Sequence, residues 1–187
     1  MAPRVKITRE EIVEAAIGLV RQRGEAALNA RNIAASLNCS TQPVFSNFSS
    51  MEELRMEVIG AADRLCNQYI KKEVEGGAYP AYKATGMGYI RFAKEERELF
   101  KLLYMRDRSQ EVVPKEMELD DEMEGLLHDN TGLAGAEAEL FHLEMWAFVH
   151  GIATMFATGF LKLDWELVGK ILTDAYQGIK RQFEKEG

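Results

Sequence analysis

The side chains best suited to chemistry at a surface stand close together between Ser40 and Asn47. Thr41, Ser46, Gln42 and Asn47 offer small hydroxyls and amides, and Phe45 offers one aromatic ring. Such groups hydrogen-bond to base edges and phosphates, and Thr or Phe can touch a thymine methyl. Gln42 is the leading candidate for a base reader, because a carboxamide pairs bidentately with adenine. Pro43 sits where a helix would begin, a place where a missing N–H costs little. Other chemistries find no residue set. There is no GxSxG, no HExxH and no phosphate-cradling glycine loop. His128, His142 and His150 have no matching ligands, and Glu139 one turn before His142 permits a metal without arguing for one. The expectation is a binding protein, not an enzyme, with no metal and no cofactor.

Those side chains need a helix to aim them. Asn29 is a good N-cap, and Ile33, Ala34 and Leu37 then fall on one helical face. Asn38 and Cys39 end that helix, since Asn tolerates the left-handed conformation of a turn. Ser40 is expected to cap the next helix, with Val44 and Phe48 pointing inward and Thr41, Gln42, Phe45, Ser46 and Asn47 facing out. Two helices joined by a tight turn, the second showing polar tips, make a helix-turn-helix reader of the DNA major groove. Arg31 supplies a charge for a phosphate, and Asn29 places a helix N-terminus near one. A supporting helix precedes them from about Thr8 to Arg23. Thr8 and Glu11 form a capping box, Ile12, Ala15, Ala16, Leu19 and Val20 form the buried stripe, and Gly24 ends it. Arg4 and Lys6 read either as a basic arm reaching DNA or as a frayed terminus.

Residues 8–58 resemble the TetR family of bacterial transcriptional regulators. The resemblance rests on Ile12, Ala15, Ala16, Leu19 and Gly24, then Arg31, Ile33, Ala34 and Ser40, then Phe45, Asn47, Phe48, Glu52, Glu53 and Leu54. Three positions depart from the family pattern. Phe45 stands for its usual Tyr, Asn47 for its usual His and Met51 for its usual Lys. Each change removes a phosphate-binding group or a titratable one, so fewer backbone contacts are expected. Base reading is less affected, because backbone contacts position and base contacts specify. The resemblance implies a homodimer on a palindromic stretch of double-stranded DNA, released by a small-molecule effector. The alternative is a helical interaction module that has kept the fold and lost DNA binding.

The chain has 187 residues and a net charge of −7. That balance argues against a polyanion until its distribution is read. Residues 1–50 carry six Lys or Arg against four Glu, and the remainder is strongly acidic. A mildly basic end on an acidic body still binds DNA, because the field at the contact matters more than the total. Such binding is expected to be salt-sensitive. Cys39 and Cys66 lack metal-ligand spacing and read as reduced thiols in a cytoplasmic, nucleoid-associated protein. The start of the chain does not read as a signal peptide, and no apolar run of about 18 residues predicts a membrane span.

Beyond residue 50 the spacing predicts an all-α body. A long helix from about Ser50 to Val74, with Leu54, Val58, Ala61, Leu65 and Ile70 on one side, reads as a rigid rod between the two ends. Helices follow over about 79–94, where Gly86 and Gly88 weaken the case for continuity, and over 95–105. Residues 111–124 hold seven acids and read as a solvated face or a cation site. Residues 136–160 form the most apolar helix and 164–185 the last. The domain expectation is a helix-turn-helix DNA-binding domain at 1–52 and a helical effector-binding and dimerisation domain at 53–187. Met and aromatic side chains suit an adaptable apolar pocket, and Met87, Tyr89, Phe100, Tyr104, Met123, Met145, Trp146 and His150 are its candidates, with plain core packing as the other reading. Trp146 with His150-Gly151 resembles a TetR subgroup carrying a Trp-x-x-x-His-Gly signature. In the family the last two long helices pair across the dimer, which implies Ile152, Phe156, Leu167, Ile171, Ala175 and Ile179 as interface residues.

Overall fold

The structure is a computed structural model that describes residues 7–108, 119 and 121–184. Among these residues there is no strand, and nine α-helices follow one another. They are α1 (Arg9–Arg23), α2 (Ala30–Ser36), α3 (Gln42–Asn47), α4 (Met51–Gly76), α5 (Ala81–Glu95), α6 (Arg97–Tyr104), α7 (Asp121–Thr131), α8 (Gly135–Thr158) and α9 (Trp165–Phe183). The chain divides into two compact units. The first is Met1–Leu65 with Glu96–Arg106, and the second is Cys66–Glu95 with Asp107–Gly187.

In the first unit the local signals explain the helices. Thr8 caps α1 in a full capping box, with Thr8 N–H donating to Glu11 Oε2 at 2.8 Å and Glu11 N–H to Thr8 Oγ1 at 3.2 Å. Gly24 closes α1 at φ +74°. The stripe Ile12, Ala16, Leu19 and Val20 is buried, and α1 packs on α2, α3 and α6. Helix α4 is capped by Ser50. Ser50 Oγ accepts from Glu53 N–H at 3.0 Å, but the Glu53 carboxylate reaches past Ser50 to the Ser49 N–H and hydroxyl. On α4 the buried stripe is Leu54, Val58, Ala62 and Cys66, with Ala61 and Leu65 beside it.

In the second unit α8 packs along α5 and α9, and α7 packs on α5 and α8. Both α5 glycines are accommodated inside one continuous helix. At Gly88 a Cβ would stand 2.6 Å from Ile70 Cα and 2.9 Å from the Tyr69 carbonyl oxygen, so only glycine lets α5 lie against the end of α4. Helix α7 was not anticipated; part of it was read as an acidic face. Its acids Asp121, Glu122 and Glu124 occupy the first turn, where they suit the helix dipole, while Leu127 is fully buried with Phe141, Met145 and Tyr82. Among the described residues no cluster of His, Cys, Asp and Glu could hold a metal ion. The rest of the acidic run lies outside the described residues, as does Lys185. Helix α8 is, among the described residues, the one helix long and apolar enough to match a membrane span by length and composition. Here it is the central helix of its unit, with one side buried.

Candidate nucleic-acid interface

The turn between α2 and α3 is built as the residue types require. Asn29 caps α2, its side-chain oxygen accepting from Asn32 N–H at 3.0 Å. Asn38 adopts φ +50°, the one positive φ of a non-glycine residue among those described, and Cys39 N–H returns to the Ala34 carbonyl at 2.9 Å. One expectation fails. Thr41, not Ser40, stands at the N-cap of α3, and no side chain closes that end. Pro43 in the first turn offsets part of the loss, since it has no N–H to leave unpaired.

Helix α3 is six residues long and is held by two side chains. Val44 and Phe48 are buried against the unit at 1% and 2% exposure, whereas Phe45 is 57% exposed. Gln42 and Ser46 lie on the same outward face and are also exposed. The Ser46 hydroxyl donates back to the Gln42 carbonyl at 2.9 Å, which leaves its lone pairs outward. Thr41 is half-buried and Ser40 exposed. Asn47 does not join this face: its amide nitrogen donates to Pro43 O at 2.8 Å and Ile7 O at 3.4 Å. Asn29 and Arg31 are exposed at the start of α2, and Arg31 makes no ion pair among the described residues. Arg4 and Lys6 lie outside the described residues.

Four other cations of this unit are already engaged. Arg21 forks onto Glu96 with two bonds of 2.8 Å. Arg55 bonds Glu25 at 2.7 Å, and Lys101 bonds Glu98 at 2.6 Å. Arg9, which the sequence reading passed over, bonds the Asn47 carbonyl and two carboxylates of α4. Its partners lie 38 to 48 residues away in the chain, and no local spacing reveals them.

The candidate effector residues fall in both units. Phe100 and Tyr104 lie on α6 in the first, with ring centroids 5.0 Å apart. Met87, Tyr89, Met145, Trp146 and His150 lie on α5 and α8 in the second. There Tyr89 OH meets His150 Nδ1 at 2.9 Å, and the Trp146 ring stacks on His150 at 4.7 Å and 15°. Burial lowers the His150 pKa below the ordinary histidine value. Met87 is fully buried, and Met123 packs on the aromatic core around Phe141. Of the residues expected at a dimer face, Ile152 and Phe156 are buried in the protomer, and Ala175 and Ile179 pack against its core. Leu167 is exposed and Ile171 half-buried. The open side of α8 instead carries Leu140, Leu143, Ala147, Phe148, Gly151 and Met155, one helical arc opposite the buried one.

Residues 82–173 match the family model described as tetracyclin repressor-like, C-terminal domain. The chain belongs to the TetR family. Its all-helical fold is shared by solved structures of low identity. A TetR-like transcriptional regulator from Rhodococcus sp. RHA1 is 19% identical, with 96% of this chain and 98% of that one covered and a TM-score of 0.67. A protein of unknown function from the same source is 18% identical, with 97% and 98% covered and a TM-score of 0.70. A TetR family member from Streptomyces coelicolor A3 is 18% identical, with 89% and 96% covered and a TM-score of 0.63. No curated protein matches the sequence. This TetR-family chain therefore has the fold of a transcriptional regulator.

Proposed function

We propose that this protein is a DNA-binding regulator, and not an enzyme, that sits as a homodimer on a palindromic operator and leaves it when a small apolar effector binds. The observation that carries the reading is the outward face of α3. Gln42, Phe45 and Ser46 are exposed there while Val44 and Phe48 anchor the helix from beneath. An aromatic ring more than half exposed on a six-residue helix leaves most of its surface free for a partner. It suits contact with a thymine methyl in the major groove, beside a Gln that pairs with adenine. Thr41 and Ser40 extend that contact, and Arg31 and Asn29 meet the flanking phosphates. Dimerisation is supported by the open apolar arc of α8, where Leu140, Leu143 and Phe148 are 39–49% exposed, with Leu167 of α9 at 43%. The effector is proposed to bind within the helical body near Tyr89, Trp146 and His150. A two-fold dimer places its two reading helices on half-sites about one helical turn, or a little more, apart.

With several arginines tied to carboxylates, few phosphate contacts remain, so affinity for arbitrary DNA is expected to be weak, falling with salt along a shallow slope. Fluorescence anisotropy of a labelled duplex, followed as salt is raised, tests this. A regulator shows binding that falls linearly on log–log axes, by about 0.9 per phosphate contact. A chain that keeps the fold only as an interaction module shows no binding at any salt.

A further inference from the structure

Helix α3 is too short to hold its own direction. Six residues allow only two or three internal hydrogen bonds, and an isolated helix of that length is not stable in water. Its two buried anchors fix its depth. Its C-terminal end is fixed by Arg9. Arg9 Nη1 donates to the Asn47 carbonyl at 2.7 Å, taking one of the carbonyls a helix end leaves unpaired. The same nitrogen lies 2.9 Å from Glu53 Oε1, and Nη2 donates to Glu57 Oε1 at 2.8 Å. The guanidinium plane also covers the Phe48 ring, 4.1 Å from its centroid. One side chain at the start of α1 thus joins the last residue of α3, the anchor that follows it and two successive turns of α4. The Asn47 amide completes the arrangement by tying α3 to Ile7, two residues before Arg9.

We propose that Arg9 is the positioning residue of the reading helix: it sets the angle of α3 against α4, and through it operator affinity, without touching DNA. The charges around it agree. One cation faces two carboxylates, so the cluster is net negative and is a poor phosphate ligand. Glu53 is held ionised by the Ser49 hydroxyl, the Ser49 N–H and Arg9, with its pKa lowered to about 2. The fork geometry matters as much as the charge. A lysine keeps the charge but offers one nitrogen, which cannot serve a carbonyl and two carboxylates and lie flat on a ring. The proposal rests on the DNA-binding reading above.

The test uses the full chain and a duplex retained by the wild type from a random pool. Arg9→Met and Arg9→Lys are compared with wild type for affinity, salt slope and sequence preference, well below their melting temperatures and with helical content checked by circular dichroism. Both variants are expected to lose affinity by about tenfold to a hundredfold, the loss of a charge-assisted hydrogen bond. The preferred sequence and the salt slope are expected to stay unchanged. A slope reduced by about 0.9 would make Arg9 a phosphate ligand instead. Wild-type affinity in folded Arg9→Lys, or in both variants, would leave Arg9 a stabilising residue only and overturn the proposal. A wild type that retains no duplex would refute the DNA-binding reading itself, and the proposal with it.

Discussion

The Tyr89 hydroxyl of α5 meets Nδ1 of His150 on α8 at 2.9 Å. The imidazole is covered on its face by Trp146, and burial disfavours its charged form. Protonation fixes an N–H at Nδ1, so the phenol can then only accept from it. The folded pKa lies below the unfolded value of about 6.5. The unfolded chain therefore binds the proton first, and this stability is present above pH 6.5 and is lost as pH falls below it. The melting temperature is expected to drop between pH 7.5 and 5.5, and His150→Gln is expected to flatten that part of the curve. An unchanged curve in the variant would show that other groups carry the dependence.

The two α5 glycines separate helix propensity from packing. Gly88→Ala sets a methyl group against the backbone of Ile70 and Tyr69, which cannot give way without moving α4 from α5. Overpacking of that kind costs about 1–3 kcal/mol or more. Gly86→Ala meets only side chains, Val149 at 3.1 Å and Leu172 at 3.6 Å, and gains about 1 kcal/mol of helix propensity. Urea unfolding is expected to rank Gly88→Ala well below wild type and Gly86→Ala close to it.

Gln42 is outward on α3 and its side chain is available to a base edge. Gln42→Ala is expected to cost about 1–3 kcal/mol at one base pair and to relax preference there. Competition binding on single-position operator variants measures it. Equal weakening on every sequence would make Gln42 a backbone contact.

The open arc of α8 is the proposed subunit contact. Phe148→Glu or Leu143→Glu places a charge on an exposed site, so the protomer is expected to keep its helical content. Sedimentation velocity is expected to show the wild type as a dimer and either variant as a monomer. Two dimeric variants would move the interface elsewhere.

Much of this molecule was legible because its signals are local. The capping box of α1, the inward pair Val44 and Phe48 and the left-handed Asn38 each lie within a few residues of what they determine. The failures share the opposite property. Arg9 acts through residues far along the chain. Gly88 looked like a weak point in a helix until the Ile70 backbone was found against it. Helix α7 hides Met123, Leu126 and Leu127 among acids and a glycine, so composition outweighed spacing. Residues 95–105 were read into the body by position, yet Glu96–Arg106 belongs with the first unit, where α6 packs on α1. The family's pairing of its last two helices implies Ile152 and Phe156 at a dimer face, but it does not say which apolar side of α8 is spent in the protomer, where both are buried.

The central claim is that α3 reads DNA as one half of a symmetric pair. Selection of random duplexes on the purified protein at roughly physiological salt, followed by sequencing of those retained, tests it most directly. A dimeric reader is expected to retain a two-fold symmetric motif whose half-sites lie about one helical turn, or a little more, apart. Retained sequences indistinguishable from the starting pool would contradict it.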